Sequence, residues 1–487
     1  MNLLLLNMEF HPDHIKENLN QIGKKEGLAL LRELIDSSTD PKQRQNALLN
    51  YGLIDEGKNF KFFEHLYLSD ENIELRLIAG QILKEKYLHH KKLILLLKYT
   101  LNRIDNVELQ IFAIQTLNSI ESVKARKIVV EYLRESVQKE FEPKTKNFPK
   151  EIFNYSYIEA IPEMYLEICI NLILYNYYTK KCGYHVSLKN GRISYLNCES
   201  SNLTKITDVK SLNLLKELEH LHLHRNNLVS LKDIQILKKL RTLDVSHNNL
   251  EKIEYLDKLK QLEELNLSNN KIQKIEGVNS LSNLKKLLLN QNSINKIENL
   301  GNLSNLETLE LTRNNIKEIN NLDNLIELER LNLSFNRIER ITGLQNLKNL
   351  MWLYLNGNKI SKIEGLYFLE KLKGLYLSNN TIKKIESLEN LLNLKNLELS
   401  YNKIGKIEGL QNLSDLQELY LDNNELKKVE NLNKLQSLIM LHLGRNTISE
   451  FRRENVEDLK NLNFIFLNEN PLNQKSLEEY HKRLKFP

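Results

Sequence analysis

A 22-residue pattern of apolar and polar positions runs from about Ile193 to the C-terminal end of the sequence. Residues 284–303 give one unit, which reads Leu-Lys-Lys-Leu-Leu-Leu-Asn-Gln-Asn-Ser-Ile-Asn-Lys-Ile-Glu-Asn-Leu-Gly-Asn-Leu. Leu287 and Leu289 alternate with their neighbours, which predicts a short strand with one buried side. The apolar residues from Ile294 to Leu303 recur every three positions, which favours a 3₁₀ or irregular turn. Because no unit can bury its apolar side alone, the pattern predicts a solenoid of stacked units with one shared core.

Thirteen such units are present, and an asparagine follows the predicted strand in most of them. The units begin near Ile193, Leu218, Leu240, Leu262, Leu284, Leu306, Leu328, Leu350, Leu372, Leu394, Leu416, Leu438 and Leu462. We interpret the asparagines as structural, bonded to backbone groups that the turn leaves without strand partners. The Asn190-Gly191 pair predicts a capping hairpin. Residues 475–484 predict an amphipathic helix at the other end.

The N-terminal third lacks this repeated asparagine, and its apolar residues are spaced as in α-helices. The predicted helices are 27–36, 42–54, 59–68, 72–88, 91–102, 106–119, 122–140 and 156–179, with a loop at Phe141–Lys150. Ala47, Ala79 and Ala113 recur at nearly equal intervals, each followed by apolar positions at helical spacing. This part therefore resembles HEAT-like stacked helix pairs, and a generic helical bundle is the alternative.

The C-terminal array resembles a known repeat family. A glutamate follows the second isoleucine of the motif in several units, at Glu276, Glu298, Glu364, Glu386 and Glu408. This motif is similar to the 22-residue subclass of leucine-rich repeats, typified by a regulatory subunit of protein phosphatase 1. Bacterial internalins and several cytoskeletal adaptors carry similar repeats. The resemblance implies a curved solenoid with a parallel β-sheet on its concave face.

We therefore expect an α+β solenoid of two domains. The first is an all-α, HEAT-like helical-repeat domain over residues 1–182. The second is a leucine-rich repeat domain over residues 183–487, made of the cap hairpin and about thirteen repeats.

Composition and charge exclude some classes of function. The chain has 487 residues and a net charge of +6, from 69 Lys and Arg against 63 Asp and Glu. No concentrated basic patch stands out, so we expect no nucleic-acid partner. The apolar run Leu3–Leu6 is too short for a signal peptide or a membrane span, and the three cysteines suggest no disulfide framework. We expect a cytoplasmic protein without a membrane partner.

Aromatic and acidic residues concentrate beside the predicted strands of the middle and late units. We predict that they form a partner-binding stripe on the concave face, because exposed Trp and Tyr are common binding hot spots. The predicted set is Phe335, Trp352, Tyr354, Tyr376, Glu398, Tyr401, Glu418, Tyr420 and Asp422, with Phe464 and Phe466 at the end of the array. An alternative is that aromatic residues merely suit strands.

The early units carry histidines instead. His220, His222 and His224 alternate along one predicted strand, and His247 follows in the next unit. Such a strand could hold a metal or act as a pH-sensitive contact. The side chains of alternate residues lie about 6.5–7 Å apart, which is wide for one zinc ion. We therefore favour a solvated polar strand and predict no metal site.

The sequence lacks the phosphate-binding loop, the nucleophile elbow and the His-Glu-x-x-His helix of common enzyme classes. We predict no catalytic residues and no cofactor. The leading hypothesis is an intracellular, non-enzymatic scaffold that binds folded protein partners, as a monomer or within a heteromeric complex. One alternative is a regulatory subunit of an enzyme complex, such as a protein phosphatase or a small GTPase regulator. Another is a surface ligand of the internalin type.

Overall fold

The computed structural model describes residues 11–141 and 163–484. Contacts divide the chain into two compact units, Met1–Ile193 and Ser194–Pro487. The division falls inside a strand, beyond the predicted boundary at 182. Contacts between residues do not show whether each unit folds independently. The two predicted domains therefore stay a prediction. Within the described ranges, every helix is too short or too polar to cross a lipid bilayer.

The first unit is built mainly from α-helices. In the described part of the chain they are α1 (Pro12–Glu17), α2 (Leu19–Ile22), α3 (Lys24–Ser37), α4 (Pro41–Ile54), α5 (Phe60–Ser69), α6 (Ile73–Tyr87), α7 (Leu93–Arg103), α8 (Val107–Ser119), α9 (Val123–Phe141) and α10 (Glu163–Asn176). A π-helical turn, Tyr177–Lys181, extends α10.

Side-chain caps fix where several of these helices begin. The Asp40 carboxylate accepts a hydrogen bond from the Lys42 backbone N–H, with Pro41 at the first helical position. Asn72 caps α6 and Asn106 caps α8 in the same way. The sequence places these three starts correctly to within a residue or so, because caps are local signals.

The helices pack as successive pairs. Helix α3 packs on α4, α5 on α6, and α7 on α8, while α4, α6 and α8 also contact one another in that order. Ala47, Ala79 and Ala113 are completely buried in these second helices, where a small side chain allows close approach. The pairing agrees with the predicted helix pairs, and the HEAT-like assignment stays a prediction.

The two ends of the helical region differ from the prediction or lie partly outside the described residues. Helices α1 and α2 were not predicted, since their few apolar residues form no repeated pattern. The predicted loop beyond Phe141 and the beginning of the predicted helix 156–179 lie outside the described residues.

The strands of the array are short and follow one another in order. They are β1 (His185–Lys189), β2 (Arg192–Asn197), β3 (His220–His222), β4 (Thr242–Asp244), β5 (Glu264–Asn266), β6 (Lys286–Leu288), β7 (Thr308–Glu310), β8 (Arg330–Asn332), β9 (Trp352–Tyr354), β10 (Gly374–Tyr376), β11 (Asn396–Glu398), β12 (Glu418–Tyr420), β13 (Met440–His442) and β14 (Phe464–Phe466). They form one sheet in sequence order, and the ladder from β2 to β14 is parallel.

The register of this ladder follows the sequence repeat through most of the array. Each strand residue lies opposite its counterpart in the next unit, as Leu287 of β6 does with Leu309 of β7, and Leu353 of β9 with Leu375 of β10. The middle residue of each three-residue strand is buried, and its neighbours are in most strands partly accessible. The α+β solenoid is therefore confirmed, with its leucine and isoleucine core shared between adjacent units.

The repeated asparagine has the predicted structural role. The Asn292 amide donates to the backbone carbonyls of Leu267 and Leu289, at 3.0 and 3.1 Å. Its side-chain oxygen accepts from the Ile272 N–H at 3.0 Å. The side chain thus bonds backbone groups of two adjacent units, where the turn provides no strand partner.

The C-terminal end of the array is covered as predicted. Helix α11 (Gln474–Leu484) places Ser476 and Tyr480 against the last unit. The Ser476 hydroxyl accepts from the Phe451 N–H, and the Tyr480 hydroxyl accepts from the Leu467 N–H. The unit that begins near Leu438 contains an insertion, which forms a 3₁₀ turn, Arg453–Asn455. It makes the sequence separation of paired residues longer between β13 and β14 than between β12 and β13.

Candidate functional site: the exposed face of the sheet

The exposed face of the sheet consists of two rows of side chains, one on each side of the buried middle residue. The first-position row runs through Trp352, Gly374, Asn396, Glu418, Met440 and Phe464. The third-position row runs through Tyr354, Tyr376, Glu398, Tyr420, His442 and Phe466. Since neighbouring parallel strands lie about 4.8 Å apart, each row forms a continuous surface.

Rings of the third-position row stack on one another. Tyr354 and Tyr376 lie 4.4 Å apart between ring centroids and are nearly parallel, at 9°. Further along, His442 stacks on both Tyr420 and Phe466, at 4.6 and 4.2 Å. Stacking of this kind adds roughly 0.5–1.5 kcal/mol per pair to the burial of the rings. The row therefore presents two groups of stacked rings, one on each side of Glu398.

The indole of Trp352 packs over a glycine in the next strand. A Cβ atom on Gly374 would lie 2.5 Å from Cε3 of the Trp352 indole and 2.8 Å from Cε2 of Tyr376. The indole thus occupies the space that a side chain at 374 would fill. Trp352 is half-buried in consequence, and not fully exposed as the sequence suggested.

Three carboxylates lie beside the rings. Glu418 accepts hydrogen bonds from the Asn396 amide at 2.8 Å and the Tyr420 hydroxyl at 3.1 Å. Asp422 accepts from the Ser400 hydroxyl at 2.6 Å. Burial, followed by the negative charges of Glu418 and Asp422, raises the pKa of the Glu398 carboxyl. The arrangement concentrates negative charge on a partly desolvated surface.

The phenols next to these carboxylates keep their protons. Burial and the adjacent Glu418 raise the pKa of Tyr420 to about 12. Burial and the neighbouring Tyr354 and Glu398 raise the pKa of Tyr376 as well. Both hydroxyls therefore remain hydrogen-bond donors at physiological pH.

Three residues of the predicted stripe lie outside the strands, namely Phe335, Tyr401 and Asp422. Phe335 and Tyr401 follow β8 and β11 in a turn where the backbone is left-handed, with φ of 56° at both. Their side chains are 49% and 48% exposed. The guanidinium of Arg313 lies 5.4 Å from the centre of the Phe335 ring. These two rings lie at the border of the stripe, because they belong to the turns that follow the strands.

Three further residues belong to this surface and were not in the predicted set. Arg330 donates to Glu310 at 2.7 Å and to the Tyr354 hydroxyl at 3.0 Å, and so fixes one end of the stripe. Gly374 positions Trp352, and His442 continues the stack. Counting one repeat back from Trp352, or one repeat on from Tyr420, would have found Arg330 and His442, because the repeat spacing defines the register.

The early units carry a different group on the same face. His222 of β3 lies directly opposite Asp244 of β4, and His224 follows β3. A ligand atom from each of these three residues lies within 4.8 Å of the other two. His220 is not part of the group, and its Nδ1 lies 3.0 Å from the Thr242 hydroxyl. Asp244 is not in the predicted set because only the histidines of these two units were weighed as ligands, and the residue opposite His222 was not.

Comparison with protein families identifies the array. A family model described as leucine-rich repeats in two copies matches residues 238–280, 370–412 and 392–434. A second, described as leucine rich repeat, matches residues 326–382. The array is built of leucine-rich repeats. A comparison with curated proteins by sequence finds no match.

Solved structures with the same repeats resemble the chain. An internalin of Listeria monocytogenes is 26% identical with a TM-score of 0.53, and the match covers 58% of this chain and 82% of the internalin. A leucine-rich repeat protein of Leptospira interrogans is 27% identical with a TM-score of 0.55, covering 59% of this chain and 81% of its own. The leucine-rich repeat domain of APL1B, 22% identical with a TM-score of 0.50 over 60% of this chain and 87% of that domain, shares the fold.

Proposed function

We propose that this protein is a non-enzymatic interaction scaffold whose leucine-rich repeats bind a folded protein partner on the concave face of the sheet. Leucine-rich repeat solenoids use such extended surfaces for binding. The observation that carries the proposal is the aromatic–acidic surface, formed by Trp352, Tyr354, Tyr376, Glu398, Glu418, Tyr420 and Asp422 with Phe335 and Tyr401 at its border. Ordered aromatic rings lose little side-chain entropy on binding, which favours them as anchors.

The charge of this surface indicates what the partner presents. Glu398, Glu418 and Asp422 lie next to stacked ring faces, and both carboxylates and ring faces attract cations. An arginine or lysine side chain of the partner, flanked by apolar residues, would satisfy both. We therefore infer a partner with a basic and apolar patch.

Binding measurements with surface variants test the proposal. Full-length protein is immobilised, its partners are captured from native lysate and identified by mass spectrometry, and the affinity of each purified partner is then measured. Trp352→Ala and Tyr376→Ala should each weaken binding by roughly 1–4 kcal/mol. Glu398→Gln should weaken it less and should lessen its dependence on salt, because one charge is removed.

Tyr367→Ala is the matched control. Tyr367 is also an aromatic residue, 66% exposed, and it lies outside the strands. It should bind as the wild type does, and all variants should unfold at similar urea concentrations. A double variant Trp352→Ala, Tyr376→Ala that captures the same partners with unchanged affinity would show that another surface binds them.

The identity of a captured partner also decides between the two main hypotheses. Enrichment of an enzyme whose rate changes on binding would favour the regulatory-subunit alternative over a scaffold. We propose a cytoplasmic location as well, because three cysteines in a chain of 487 residues do not indicate a disulfide framework. Imaging of the tagged full-length protein in its own cells tests this location.

A further inference from the structure

His222, His224 and Asp244 form a cluster of metal-type ligands at the beginning of the array, apart from the aromatic–acidic surface. One ligand atom from each residue lies within 4.8 Å of the other two, and all three residues are half-buried. The parallel register produces this grouping, since it places His222 directly opposite Asp244. Two imidazoles and one carboxylate are a donor set that zinc and similar divalent ions prefer.

His224 is oriented as a metal-binding histidine would be. Its Nε2 lies 2.8 Å from the Glu199 carboxylate. Its Nδ1 is buried and has no hydrogen-bond partner among the described residues. In a neutral ring that donates its Nε2 proton to Glu199, Nδ1 carries a lone pair. A carboxylate behind a ligating histidine is the usual means of fixing its tautomer and orientation.

Neighbouring residues also position the other two ligands, Asp244 and His222. Asp244 accepts hydrogen bonds from the Ser246 N–H at 2.9 Å and the Ser246 hydroxyl at 2.7 Å, and its second oxygen accepts from Asn266 at 3.2 Å. These bonds fix the carboxylate and leave one lone pair on Oδ2 without a donor. His222 lies directly opposite Asp244 in the parallel register, so both side chains lie at the same place on the face.

We propose that His222, His224 and Asp244 bind one divalent transition-metal ion of the zinc type, with Glu199 as the carboxylate behind His224. A tetrahedral zinc ion with bonds of about 2.0–2.2 Å holds its ligand atoms about 3.3–3.5 Å apart. Coordination therefore requires the ligand atoms to move closer together than the structure shows them. Three protein ligands leave one coordination position for water or for a group of a binding partner.

Metal titration of the full-length protein tests this site. After treatment with a chelator and its removal, Zn²⁺ is titrated against a competing chromophoric chelator, and Co²⁺ is added separately for its visible absorption. We expect one equivalent of Zn²⁺ and the absorption bands of a tetrahedral Co²⁺ complex. His224→Ala and Asp244→Asn should each weaken the affinity by at least about tenfold, and Glu199→Gln should weaken it by about tenfold.

His247→Asn is the matched control. His247 lies in the adjacent left-handed turn at φ 53°, and Asn269 occupies the equivalent place in the next unit at φ 57°. This variant should bind Zn²⁺ as the wild type does. Circular dichroism of the metal-free proteins verifies folding, and Glu199→Gln preserves side-chain size should a ligand variant unfold. Less than one equivalent of bound Zn²⁺, or an affinity that these variants leave unchanged, would overturn the proposal.

Discussion

The asparagine ladder should make a measurable contribution to stability, and Asn380 in the middle of the array is the best place to test it. This side chain is only 8% exposed. Its amide donates to the carbonyls of Leu355 at 3.0 Å and Leu377 at 2.9 Å. Its oxygen accepts from the Ile360 N–H at 3.0 Å. Asn380→Ala removes these three bonds and a longer one to the Ser378 carbonyl, at 3.3 Å, without adding strain.

The structure shows which of these losses costs most. The Leu355 carbonyl also accepts from Asn358, and the Leu377 carbonyl also accepts from Asn402, both at 3.0 Å. Both carbonyls therefore keep a donor after the substitution, whereas the Ile360 N–H loses its acceptor. A buried unpaired donor costs roughly 1–3 kcal/mol, and each weakened carbonyl adds a smaller penalty. We expect a total loss of about 2–4 kcal/mol.

Equilibrium unfolding in urea and amide hydrogen exchange measure this effect. Urea unfolding gives the total loss in the free energy of unfolding, and hydrogen exchange reports the protection of the Ile360 amide itself. Both are needed because long repeat arrays need not unfold in one step. Asn393→Ala is the control. Asn393 is exposed, and its amide donates to the Glu370 carbonyl at 2.8 Å. Water can replace that bond, so we expect a loss under about 1 kcal/mol.

The reasoning fails if Asn380→Ala and Asn393→Ala destabilise the protein equally. It also fails if the Ile360 amide keeps its wild-type protection in the Asn380 variant. Either result would mean that the unit relaxes enough to provide this amide with another acceptor.

Two further predictions concern the exposed face of the sheet. Gly374→Ala should displace the indole of Trp352, the chain's only tryptophan, and shift its fluorescence emission to longer wavelength. Gly405→Ala is the control and should leave the emission unchanged, because no atom lies within 4 Å of its new Cβ. Unshifted emission in Gly374→Ala would contradict the packing of Trp352 over Gly374. Burial lowers the pKa of His442 in the folded protein, so the unfolded state takes up the proton first and the free energy of unfolding should fall as pH decreases through about 6.5. Between pH 7.5 and 5.5, the free energy of unfolding measured in urea should fall less steeply in His442→Gln than in the wild type. Equal pH dependence in the two proteins would refute the assignment to His442.

Sequence reasoning located the elements of this protein well. The Pro41 start and the regular apolar spacing gave helices that agree with the structure over most of their length. Helices α1 and α2 were missed because short helices depend on contacts with the rest of the fold more than on their own pattern. Most residues of the candidate surface lie on the strands from β9 to β12, while its border rings Phe335 and Tyr401 lie in the turns that follow β8 and β11.

The sequence by itself determined the repeat and, through most of the array, the register and the buried side of the strands. A constant repeat period with leucine and asparagine at fixed places leaves one way to stack the units, since any slip would expose the leucines. The tertiary structure decided which side chains meet across that register. The indole of Trp352 lies over Gly374, and Asp244 joins His222 and His224. These contacts depend on side-chain orientation between neighbouring strands, which a one-dimensional pattern does not specify.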